Sequence, residues 1–260
     1  MAAPSAVRVP AYRSMANDLA AALDPVVFAR RSGIEPDPWQ AKALRSGARR
    51  VLMNASRQSG KSTTTALLAL HQATYQPASL ILLLSPSLRQ SAELFRTVAR
   101  QYTATGAQIP STAGSKLRLE LENESRIISL PASEATIRGY AGVDLLVVDE
   151  AARVENALYH TVRPMLATSN GRLIALSTPF GTRGWWYEAW VSGDDWDRYA
   201  VPATMCPRIP ADFLEEEQRN MGLWWYQQEY LCEFLDAQSQ AFRRVDIDKA
   251  FQEDVEQWQL

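Results

Sequence analysis

Short apolar runs recur along the chain, each closed by polar or turn-forming residues, and apolar positions at helical spacing lie between them. Val51-Leu52-Met53-Asn54, Leu80 to Leu84, Val143 to Val148 and Arg172 to Leu176 read as buried strands. Thr63 to Ala73, Leu88 to Tyr102 and Ala157 to Leu166 read as helices, with Ser87 an N-cap for the second. Lys116 to Leu121 and Arg126 to Leu130 instead alternate with period two around Glu122-Asn123-Glu124, which predicts a hairpin. Strands alternating with helices imply an α/β fold, a mostly parallel sheet with helices on both faces. Upstream, a helical pattern from Leu19 to Ala29 ends in the breakers Gly33, Pro36 and Pro38. Past about Ala203 the pattern turns to short helices, Asp212 to Arg219 and Leu223 to Phe234, and then a charged tail. The chain therefore divides into an N-terminal helical extension (1–35), an α/β core (36–205) and a helical lid and linker (206–260).

Composition narrows the class. With 260 residues, 47% hydrophobic and 22% charged, the chain matches a soluble globular protein and not a disordered tail, a collagen-like rod or a coiled coil. The longest aliphatic run, Leu80 to Leu84, falls far short of the roughly 20 residues that cross a bilayer. Met1 to Met15 lacks the apolar block of a signal peptide, which argues against export. Two cysteines, Cys206 and Cys232, build no disulfide framework and suit a reducing compartment. His71 and His160 lack partners at metal-ligand spacing. A formal charge of −2 neither advertises nor excludes a nucleic-acid partner. Only 4 of the 27 cationic residues are lysines, so a lysine inside a motif draws notice.

One such lysine lies in Ala55 to Ser62, which fits G-x-x-x-x-G-K-[ST] at every required position except the first, where Ala55 replaces Gly. Between a strand and a helix, such a loop turns successive N–H groups toward a polyphosphate, and the helix N-terminus adds positive potential. Ser56, Arg57, Gln58, Ser59, Gly60, Lys61, Ser62 and Thr63 are the candidate nucleotide-binding stretch. Gly60 admits close approach, Lys61 reaches the β/γ oxygens and Ser62 offers a hydroxyl to Mg²⁺. The second half of such a site is expected on a neighbouring strand, and Leu145-Leu146-Val147-Val148-Asp149-Glu150 supplies it. Asp149 is the candidate second Mg²⁺ ligand, and Glu150 the residue that polarises the attacking water. Together they predict ATP hydrolysis with ATP and Mg²⁺.

At this point the sequence resembles the large terminase subunits of tailed bacteriophages. The likeness rests on Pro36-Asp37-Pro38-Trp39-Gln40, Ser56 to Ser62, Ile137-Arg138-Gly139, Val147 to Ala152, Leu176-Ser177-Thr178-Pro179 and Tyr230-Leu231-Cys232-Glu233-Phe234-Leu235. It implies a helicase-like (ASCE-type) P-loop NTPase core whose hydrolysis of ATP drives double-stranded DNA into a procapsid. It also makes Gln40 an adenine-reading residue, although a turn anchored by a buried Trp39 explains the same residues. Ser177 and Thr178 become a coupling motif sensing the γ-phosphate, against the alternative of a strand-ending turn.

Two arginines compete to stabilise the transition state. Arg57 sits in the phosphate loop of its own subunit, and Arg138 matches the position that in this family reaches a neighbour's ATP. The resemblance further implies a homo-oligomeric ring, a pentamer, with a portal and procapsid, a small terminase subunit, no membrane and the host cytoplasm. Such subunits normally carry a second, nuclease domain; here the sequence ends shortly after Phe242-Arg243-Arg244-Val245-Asp246-Ile247, and no nuclease activity is expected. Asp246, Asp248, Glu253 and Asp254 read as a solvated tail. The rival readings are a helicase or remodelling ATPase and a non-hydrolysing nucleotide-binding scaffold.

Overall fold

The computed structural model describes residues 11–137, 139–193 and 195–236. Helices α1 (Ala11–Leu23), α2 (Pro25–Arg31) and α3 (Pro38–Leu44) come first. The single helical pattern over Leu19 to Ala29 breaks at Asp24, whose carboxylate accepts the Val26 N–H at 2.9 Å and caps α2. Pro25 then takes the first helical position, where a missing N–H is harmless.

Strand β1 (Arg50–Ala55), α4 (Lys61–Tyr75), β2 (Leu80–Ser85) and α5 (Leu88–Ala104) follow, with Ser87 capping α5 as expected. Next come β3 (Ser111–Gly114), β4 (Arg118–Leu121), β5 (Arg126–Pro131), α6 (Glu134–Ile137) and β6 (Leu145–Asp149). Helix α7 (Asn156–Val162), β7 (Arg172–Ser177), α8 (Gly184–Val191) and β8 (Asp197–Val201) complete the sheet, and α9 (Ala211–Met221) and α10 (Leu223–Glu229) lie beyond it.

The strands form one sheet in the order β3-β4-β5-β2-β6-β7-β1-β8. From β5 to β8 all neighbours are parallel, and only β4 runs antiparallel to the strands beside it. Alternate residues of each central strand enter opposite cores. Val51, Met53, Ile81, Leu83, Ile174 and Leu176 pack beneath α2 to α5, while Leu52, Leu82, Leu146, Val148 and Ala175 pack beneath α7 and α8. Because both faces are buried, these strands read as continuous apolar runs instead of alternating ones. Each full burial of such a side chain stabilises the fold by ~1.5–3 kcal/mol.

Two strands carry no such signal. All four residues of β3 are exposed, and edge strand β8 holds Asp197 and Arg198, whose side chains bond outside the apolar core. Trp185 and Trp186 are buried in the second core, Trp185 stacked on Tyr159 at 4.3 Å, which fits packing and not base contact. No helix of the described residues is long and apolar enough to cross a membrane.

Candidate active site

The crossover from β1 to β2 passes over two sheet positions, which β7 and β6 later fill. The acidic strand is therefore not the neighbour of the phosphate-loop strand that the sequence suggested: β7 lies between them. The C-terminal ends of β1, β7 and β6 gather at one edge, where open α/β sheets bind ligands.

Residues 56–60 link β1 to α4. Ala55 ends β1 in register with Val201, so the missing first glycine falls on extended backbone where a Cβ is welcome. Gly60 is required on two counts. Its φ is +94°, and a Cβ there would lie 2.6 Å from Gln40 Nε2 and 3.1 Å from Arg208 Nη2. Ser59 Oγ donates to Ser56 O at 2.8 Å, tightening the loop. Lys61 Nζ donates to Ala55 O at 2.6 Å and Ser56 O at 3.1 Å, beside the loop N–H groups. Burial pushes this ammonium below the usual lysine range, opposed by the charges of Glu150 and Asp149. Ser62 and Thr63 line the same cleft.

At the end of β6, Asp149 is buried and Glu150 turns out of the strand with φ +50°. A non-glycine residue in that conformation carries strain of order 1 kcal/mol or more. Here the strain brings Glu150 to the cleft wall while its N–H donates to Asp149 Oδ1 at 3.0 Å. Asp149 is pushed up to about 6, first by burial and then by the Glu150 charge, with Lys61 pulling the other way. One hydroxyl, Ser62, and one carboxylate, Asp149, suit a hard cation that takes its remaining oxygens from phosphate and water. Among the described residues no group of three or more His, Cys, Asp or Glu side chains offers an all-protein metal cage.

The cleft measures about 1380 Å³ and is lined by Gln40, Arg57 to Thr63, Glu150 and Arg153, together with Ile34, Glu35, Gln90, Gln101, Arg208, Ile209, Pro210, Phe213 and Tyr230. Trp39 and Gln40 lie on α3, not in a turn. Gln40 is 4% exposed, and its amide is engaged within the protein: Oε1 accepts the Asp37 N–H at 2.9 Å, and Nε2 donates to Thr64 Oγ1 at 3.1 Å and Gly60 O at 3.4 Å. The amide that the resemblance assigned to adenine thus braces the phosphate loop.

Arg57 is held by α10, its Nε donating to Glu229 Oε2 at 2.5 Å. Arg138 lies outside the described residues, as do Asp246, Asp248, Glu253 and Asp254. Ser177 and Thr178 are buried at the end of β7, between loop and acids, and Ser177 Oγ accepts the Ala152 N–H at 3.2 Å. A change at Ser177 is therefore felt by the turn that follows Glu150.

Sequence reading missed three residues. Arg208 clasps Asp37 at 2.8 Å and Ser59 O at 3.0 Å. Glu229 pairs with Arg57, and Arg153 lies 3.9 Å from Glu150 and over the Phe180 ring. The one available signal was an acid, Glu229, within the aromatic run Leu223 to Phe234.

A family model described as terminase large subunit, T4likevirus-type, N-terminal, matches residues 52–249. The chain is 24% identical over 255 residues to the large terminase subunit of Thermus phage G20c, with 83% of this chain and 52% of that protein covered. The large terminase subunit of Thermus virus P23-45 matches to the same extent. The chain thus spans about half the length of the curated relatives it matches. Among solved structures, the ATPase domain of the Thermus phage P74-26 large terminase superposes with TM-score 0.70 at 22% identity, covering 80% of this chain and 97% of that one. The large terminase of another thermophilic bacteriophage, in complex with ATP-gamma-S, superposes with TM-score 0.63 at 11% identity, covering 76% and 53%. At these identities the structural likeness speaks for the shared fold.

Proposed function

The chain belongs to the T4likevirus-type terminase large subunit family through that family's N-terminal region, and from this premise we propose that it is a Mg²⁺-dependent ATP-hydrolysing motor that moves double-stranded DNA into a procapsid. One relationship carries the reading: Lys61, Ser62 and Glu150 share a single cleft, with Asp149 near enough to bear on the Lys61 charge.

Within that cleft each residue has a distinct task. The N–H groups of residues 57–61 and the Lys61 ammonium hold the β/γ-phosphates. Glu150 orients and polarises the attacking water. Ser62 and Asp149 would hold Mg²⁺, which when bound would supply charge neutralisation on the transferring phosphoryl group. Arg57 belongs to the same subunit's loop, and Arg138 serves a neighbour's site; an arginine of this kind contributes about 10³–10⁵ in rate. Ser177 and Thr178 pass the loss of the γ-phosphate to the turn behind Glu150. The partners follow from the family: a homo-oligomeric ring of five, a portal and procapsid, a small terminase subunit and the host cytoplasm.

The test is ATPase activity with and without double-stranded DNA across a range of protein concentrations, with Lys61→Ala as control. Rate per subunit should rise with concentration and with DNA, and the variant should be inactive. DNA-independent turnover that survives Lys61→Ala would end the proposal. Mixing Arg138→Ala with Glu150→Ala subunits under assembling conditions tests sharing of sites between subunits, which predicts partial recovery.

A further inference from the structure

Glu150 leads into a 3₁₀ turn, Ala151–Arg153, closed by the Arg153 N–H donating to Glu150 O at 2.8 Å. Side chains three positions apart eclipse in that geometry. The turn therefore sets the Arg153 guanidinium beside the Glu150 carboxylate on the wall of the cleft, with Nε 3.9 Å from Oε2. At that separation the two charges attract without sharing a hydrogen bond. Among the described residues the Glu150 carboxylate has no hydrogen-bonding partner, so Arg153 steers it while its oxygens stay open to water.

The same guanidinium lies over the Phe180 ring, its carbon 4.5 Å from the centroid. Phe180 follows Ser177-Thr178-Pro179 directly, just past the end of β7, and its ring is 47% exposed. A planar guanidinium stacks on an aromatic face, so the ring sets both the height and the tilt of Arg153. Strand β7 thus meets the turn behind Glu150 twice: Ser177 Oγ accepts the Ala152 N–H, and Phe180 seats the Arg153 side chain. Only the second of these contacts reaches the carboxylate itself.

Building on the reading of Glu150 as the group that polarises the attacking water, we infer that Arg153 is a positioning residue for that carboxylate. It places Glu150 by charge and takes its own place from the Phe180 ring, so the alignment of the attacking water depends on where the end of β7 stands. Arg153 acts through Glu150 and not on the phosphates.

DNA-stimulated ATPase activity of the full chain tests this, paired with its affinity for ATP-gamma-S and for ADP–aluminium fluoride, which mimics the phosphoryl group in transfer. Arg153→Ala should lower kcat about 10–100-fold and leave KM within about threefold. It should weaken ADP–aluminium fluoride while ATP-gamma-S binds as it does to the wild type, because a misplaced Glu150 is missed only in the transition state. Arg153→Lys, which keeps the charge, should recover part of kcat. Phe180→Ala should lower kcat about 3–10-fold, Phe180→Tyr should restore it, and Phe180→Ala added to Arg153→Ala should cost nothing further. An Arg153→Ala protein with wild-type kcat would overturn the inference. So would one that loses ATP-gamma-S and ADP–aluminium fluoride equally, which marks a direct phosphate contact or a collapsed turn, or losses at Arg153 and Phe180 that multiply. Glu150→Gln run in parallel separates the two levels. If its turnover matches the wild type, the reading of Glu150 itself fails; if it is inactive beside an active wild type, a failed Arg153 test counts against this inference alone.

Discussion

Arg57 Nε donates to Glu229 Oε2 across 2.5 Å, joining a largely exposed guanidinium on the phosphate loop to a carboxylate that α10 keeps buried. The two ends of this pair are unequal. Removing Glu229 frees an arginine that water solvates readily, but removing Arg57 leaves a buried carboxylate without its partner. Arg57→Ala should therefore destabilise more than Glu229→Gln, by about 1–2 kcal/mol after allowance for the exposure of Arg57. At this chain length that is a midpoint difference of roughly 3–6 °C in thermal unfolding. The double variant should recover part of the loss, and equal effects of the two single variants would contradict the asymmetry.

Gly60→Ala tests the crowding above the loop. The substitution meets both an unfavourable φ of +94° and a contact of 2.6 Å to Gln40 Nε2. The backbone alone costs about 1–2 kcal/mol, and the side-chain amide must move off Thr64 and Gly60. Denaturant unfolding should show at least this loss, and nucleotide affinity should fall with it. Combining Gly60→Ala with Gln40→Ala should restore part of the stability, because the second change removes the obstructing amide.

The parts of the site legible in the sequence are those built from contiguous residues. The loop from Ser56 to Ser62 and the acids closing Leu145 to Val148 each combine strand, turn and chemistry in one stretch. The ties between distant segments were not legible, because no spacing rule links residues so far apart. Arg208 reaches Asp37 across 171 positions, Arg57 reaches Glu229 across 172, and Asn54 Nδ2 donates to Cys232 O across 178. For the fold, the central strands announced themselves through two-sided burial, whereas β3 is wholly exposed and β8 carries bonded polar side chains. Gln40 is a different case: its motif was visible, whereas only the geometry shows its amide bonded to the Asp37 N–H, Thr64 Oγ1 and Gly60 O.

Lys61→Ala should separate function from stability. The ammonium is buried and its charge is disfavoured by burial, so its loss removes a desolvated charge together with two hydrogen bonds to loop carbonyls. We expect thermal stability without nucleotide to change little while phosphate binding and turnover are lost. A variant that unfolds well below the wild type would mean that Lys61 holds the loop together as well as serving the phosphates.

Asp149 gives the site a dependence on pH whose sign follows from its burial. In the folded protein its carboxyl is pushed up to about 6 from the ordinary 3.8. Between these values the folded chain binds more protons than the unfolded one, so stability falls as pH rises from about 4 to 6 and is level above. The loss is on the order of 2–3 kcal/mol. Asp149→Asn removes the titration while keeping a side chain that can accept the Glu150 N–H. Without Mg²⁺, the variant should therefore gain on the wild type as pH climbs through that window and keep the advantage at pH 7.5. Hydrolysis should run the other way: a carboxylate is needed to hold the cation, so wild-type turnover should decline on acidification, at lower pH than the cation-free carboxyl titrates because a bound cation favours the ionised form, and the variant should be inactive throughout. Thermal unfolding of both proteins at half-unit pH steps measures the first effect, and a stability difference that does not vary across the window would show that Asp149 ionises normally.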